Sequence, residues 1–118
     1  MKIAPQEQQD CIVSDKSMER ALHWMHEHAA KMGQAKEESV LASHMVKHVL
    51  HLEMKKSNEK TAAGKERDAY ASDAYKKAII EDAKKAGALE VMRSMREAQA
   101  AKIEAWRSEQ ANFRSMKI

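Results

Sequence analysis

Six histidines fall between residues 23 and 51 of a 118-residue chain, and none lies elsewhere. Imidazole nitrogens bind divalent metals and exchange protons near neutral pH, so their spacing decides what they can do. On an ideal helix, at about 100° per residue, His44, His48 and His51 share one face on adjacent turns. His23 and His26 point near the same direction, and His28 is turned away. Imidazoles four apart can chelate an ion, and a third at i+7 could complete one side of a site. The usual companions of such a set are missing. There is no His-Glu-x-x-His sequence and no Glu-x-x-His pair, and the single Cys11 is far from the cluster in sequence. The expectation is therefore no metal and no cofactor, with the histidines solvated or at an interface. If they pack at a subunit contact, protonation would set like charges a turn apart and weaken association at low pH.

Other reactive groups form no better constellation. The three glycines, at 33, 64 and 87, are isolated, so no phosphate-cradling loop is present. Cys11 cannot form an internal disulfide, which suits a reducing compartment. Glu37, Glu38, Glu81 and Asp82 lie among lysines, as on a solvated helical surface. A pair of helices also offers no obvious concave pocket in which a pKa could shift strongly. Enzymatic activity is not expected. Nucleic-acid binding has more to draw on, because Arg93, Arg96, Lys102, Arg107, Arg114 and Lys117 crowd the end of the chain around Trp106 and Phe113. Guanidinium groups contact phosphate, and aromatic rings stack on bases. Glu97, Glu104 and Glu109 dilute the patch and the net charge is only +3. Weak, salt-sensitive binding of single strands is the most this surface implies.

Helices must position these residues. Three Gly and one Pro in 118 residues are too few for the turns of a many-stranded sheet, while Ala, Met, Lys, Glu and Gln abound. Aromatic residues make up 4% of the chain, so any core is thin and built from Ala and Met. The predicted fold is all-α: a long antiparallel helical hairpin, coiled-coil-like and oligomerising. Residues 1–14 read as a mobile arm, with Ile12 and Val13 tucked against the body. A first helix runs from about 15 to 56, capped by Ser14 or Asp15. The polar run from Ser57 to Thr61, followed by Gly64, marks a turn over 57–71 that includes a short helix at 65–71. Ser72 and Asp73 start a helix that reaches about 116.

Along the first helix Met18, Met25, Met32, Ser39 and Val46 lie seven apart, interleaved by Leu22, Ala29, Ala35, Ala42 and Val49. That is a coiled-coil seam. On the last helix Leu89, Met92, Met95, Ile103, Trp106 and Phe113 supply the large apolar groups. Met92, Gln99, Trp106 and Phe113 are seven apart there, with alanines between. A second stripe, Leu41, Met45, His48 and Leu52, occupies a different face of the first helix. One face cannot hide both. Either turn residues fold over this stripe or it meets another subunit, and the second is the expectation. Trp106 with Arg107 forms the other candidate partner surface. No run of 18 apolar residues occurs and the first residues lack the apolar core of a secretory signal, so the expected location is cytoplasmic, without membrane contact.

Two stretches add a resemblance. They are Glu66-Arg67-Asp68-Ala69-Tyr70-Ala71-Ser72-Asp73-Ala74-Tyr75 and Ile103-Glu104-Ala105-Trp106-Arg107-Ser108-Glu109-Gln110-Ala111. With the long first helix, the region from about 18 to 115 resembles short, uncharacterised helical proteins of temperate bacteriophages, often encoded near recombination genes. The resemblance implies a phage setting and a helper role beside a single-strand annealing protein or another DNA-processing enzyme. It supplies no catalytic residue, and the histidine cluster is not part of it. The resulting expectation is a non-enzymatic, homo-oligomeric helical adaptor acting on a DNA recombination or replication component by protein–protein contact. Its rivals are a direct single-stranded nucleic-acid binder and a phage inhibitor of a host defence enzyme.

Overall fold

The computed structural model describes residues 13–116, which form an all-α helical hairpin. Most of the expected arm, with Ile12 and Cys11, lies outside the described residues, as does Lys117. Three helices follow in order: α1 (Asp15–Lys56), α2 (Ala62–Tyr70) and α3 (Asp73–Met116). Ser14 opens α1, its Oγ accepting from the Ser17 N–H at 3.1 Å and its carbonyl from the Met18 N–H at 3.0 Å. Asp15 then places a carboxylate at the positive end of the helix, and Lys55 and Lys56 stand at the negative end.

The short helix α2 begins at Ala62, earlier than the expected residue 65. Thr61 is the reason. Its Oγ1 accepts from the Gly64 N–H at 3.0 Å, so Ala62, Ala63 and Gly64 become the first turn rather than part of the interruption. Ser72 joins α2 to α3 with one hydroxyl, which donates to the Ala69 carbonyl at 2.6 Å and accepts from the Tyr75 N–H at 3.2 Å. Tyr70 and Tyr75 pack edge to face across this junction, ring centroids 5.1 Å apart.

The buried and half-buried residues of α1 include an unbroken series at 18, 21, 25, 28, 32, 35, 39, 42, 46 and 49, alternating steps of three and four. The seam is therefore real, with two places corrected. Ala21 and His28 hold the positions expected for Leu22 and Ala29, and Leu22 is left 49% exposed. A polar ring is tolerated at 28 because it stacks on Trp24, centroids 4.2 Å apart, with Nδ1 2.8 Å from the Trp24 carbonyl oxygen.

Close contacts divide the described chain into two compact units, residues 13–30 with 93–116 and residues 31–92. In the first, Val13 and Ala21 are buried, and Trp106 Nε1 donates to Asp15 Oδ1 at 2.7 Å to join α3 to the start of α1. Phe113, expected on the seam, is 49% exposed. It lies seven residues beyond Trp106, and Trp106 already meets the first residue of α1, so no part of α1 stands opposite it. In the second unit Ala42, Gly64, Ala69 and Leu89 are buried, and Lys85 Nζ reaches Glu38 Oε2 at 3.4 Å. Among the described residues no large side chain is fully buried.

Candidate interaction surface

The apolar stripe expected on α1 is uncovered. Leu41 is 60% exposed, Met45 40% and Leu52 44%, and His48 is exposed beside them. Residues of the 57–71 turn do not line the space over Leu41 and Met45. The alternative in which the turn folds across these two side chains is therefore set aside.

Leu41 and Met45 form one lip of an open groove of about 510 Å³ within the 31–92 unit. Ala42 and Val49 of α1 and Ala74 and Ala78 of α3 continue its apolar lining, and Glu38, Lys77, Glu81 and Lys85 form its charged rim. The register explains the shape. Met45 lies seven residues after Glu38 and Ala78 seven before Lys85, so the antiparallel helices joined at Glu38 and Lys85 bring Met45 and Ala78 level. A long side chain thus stands beside a methyl group, and the space over the alanines stays open. Lys85 lies 3.8 Å from Glu81 as well, so the rim holds two lysines and two glutamates. A concavity was not expected of two helices, and the α3 lip was not foreseen. Alanine gives little hydropathy signal, and the one clue was a register that pairs Glu38 with Lys85. Val40, Ile79 and Ile80 are also exposed but do not line the groove.

The other candidate residues do not converge on a site. Trp106 is half-buried with its N–H committed to Asp15, while Arg107 is exposed with Nη1 3.5 Å from Glu104 Oε2. Arg93, Arg96, Lys102 and Arg114 are exposed on α3. Arg93, Arg107 and Arg114 recur at multiples of seven on one face, whereas Lys102 lies on the far side of the helix from that row. His44, His48 and His51 are exposed, and no group of three His, Cys, Asp or Glu among the described residues could hold a metal ion. No described helix is long and apolar enough to cross a membrane. Comparison with protein-family models, curated proteins and solved structures returned no match.

Proposed function

We propose that this chain is a non-enzymatic helical adaptor that assembles with itself and acts by protein–protein contact through the groove-bearing face of residues 31–92. The observation that carries the reading is the exposure of Leu41, Met45 and Leu52 in a hairpin that fully buries no large side chain. Covering a side chain of this size contributes about 1.5–3 kcal/mol when the whole of it leaves water. Three that are roughly half exposed leave on the order of 3 kcal/mol unused, a large share of the 5–15 kcal/mol margin of a small domain. A thin-cored hairpin gains that stability by association. The DNA recombination or replication partner enters the proposal through the resemblance of residues 66–75 and 103–111 alone.

Light scattering tests the self-assembly. At micromolar concentration the chain is expected to run as a dimer or larger, and Leu41→Glu to run as a monomer with its helical circular dichroism retained. A wild-type chain that is folded and strictly monomeric overturns the proposal. A salt titration of single-stranded DNA binding separates the adaptor from a direct binder, since phosphate contacts weaken steeply with ionic strength.

A further inference from the structure

We infer that the occupant of the groove is the same groove of a second copy, related by a twofold axis parallel to the helices of the 31–92 unit. This rests on the self-association proposed above and adds how the two copies meet. The apolar lining of the groove is lopsided, with Leu41, Met45 and Val49 on the α1 side and only Ala74 and Ala78 on the α3 side, where the long side chains are the charged Lys77, Glu81 and Lys85 of the rim. Two face-to-face twofold pairings of such a surface exist. An axis across the helices lays α1 on α1 and α3 on α3. Large side chains then meet large ones while alanines meet alanines, so one half of the contact is overfilled and the other hollow. An axis along the helices lays α1 of each copy on α3 of the other. It preserves level along the helices, so each Met45 fills the space above the partner copy's Ala78, the residue level with it in its own chain.

The charges follow the same exchange. Glu38 and Lys85 meet across the two helices of one chain at 3.4 Å, which puts them near the same level. The axis along the helices therefore sets Glu38 of each copy near Lys85 of the other, converting two ion pairs into a four-charge ring of alternating sign. The axis across the helices makes no such exchange between α1 and α3. Neighbouring helices are antiparallel in either pairing, as in a four-helix bundle built from two hairpins, so side-chain fit and the exchange of charges decide between the two axes.

Single-cysteine chains in a Cys11→Ser background test the pairing. Met45→Cys and Ala78→Cys proteins, each folded by circular dichroism, are mixed, allowed to exchange, and oxidised with copper phenanthroline before non-reducing electrophoresis. A disulfide needs Cβ atoms about 3.5–4.5 Å apart, so the mixed 45–78 dimer is expected to exceed either self-linked dimer by about tenfold. A dominant 45–45 product overturns the inference in favour of the axis across the helices. No disulfide in any mixture, with the parent chain still dimeric by light scattering, overturns the pairing and leaves self-association standing. A monomeric parent chain overturns both. As a second reading, Glu38→Lys and Lys85→Glu chains should each assemble weakly, and their mixture should recover about tenfold in association. No recovery on mixing counts against the exchange of α1 and α3.

Discussion

Trp106 is the residue at which a binding role and a structural role come apart. Its ring is half-buried and its N–H donates to Asp15 Oδ1 at 2.7 Å, so the side chain holds α3 to the first turn of α1 in the 13–30 and 93–116 unit. Full burial of a tryptophan is worth about 3–5 kcal/mol against alanine, and half burial brings the expectation for Trp106→Ala to a loss of about 2 kcal/mol. Trp106→Phe keeps most of the ring and deletes the donor, and is expected to lose about 1 kcal/mol. Urea unfolding followed by circular dichroism measures both. Unchanged stability in Trp106→Ala, with single-stranded DNA affinity reduced, would move this residue from the hairpin to a nucleic-acid surface. His28 makes the same point about residue type. It reads as one member of a histidine cluster, yet its ring stacks on Trp24 and fills a seam position.

Within the elements, the three glycines separate helix propensity from local packing. Gly33 in α1 and Gly87 in α3 have nothing within 4 Å of the place a Cβ would occupy. Alanine at either position should stabilise its helix by up to about 1 kcal/mol, the propensity difference between the two residues. At Gly64 in α2 the added Cβ would lie 2.9 Å from Glu59 Cβ and 3.0 Å from Thr61 Oγ1, against the cap that starts the helix. Gly64→Ala is therefore expected to lose about 1 kcal/mol despite the better helix former. Thermal unfolding of the three variants checks the contrast in sign. The helix ends were largely legible because Ser14 and Ser72 are cap residues read straight from sequence, whereas Thr61 lay inside a polar run that hid its role. The α1 seam was legible in its methionines, but Leu22 drew the interleaving positions one residue off at the start. Only half of the groove could be read, since Leu41 and Met45 declare themselves by hydropathy while Ala74 and Ala78 matter through what stands level with them. Phe113 misled for a related reason. A heptad continues in sequence past the point where the opposite helix ends.

At the scale of the whole molecule, stability and assembly are one equilibrium if the folded chain pairs and the unfolded chain does not. A partner that binds only the native state raises its stability by mass action, even when that partner is the same chain. The melting temperature should therefore rise with protein concentration. Each tenfold increase shifts the dimer-linked equilibrium by about 1.4 kcal/mol. For a domain of this size about 1 kcal/mol moves the midpoint by roughly 4–8 °C, and sharing the shift between two chains gives an expected rise of a few degrees per decade. Leu41→Glu sets a carboxylate into the apolar lip of the groove, where pairing would bury it without a partner. That variant should melt at one temperature regardless of concentration, and below the wild type at every concentration where the wild type is paired. The comparison also separates assembly from local damage. Leu41 is 60% exposed, so its replacement removes little from the folded single chain, and a Leu41→Glu midpoint that still climbs with concentration would place the contact on another face of the molecule.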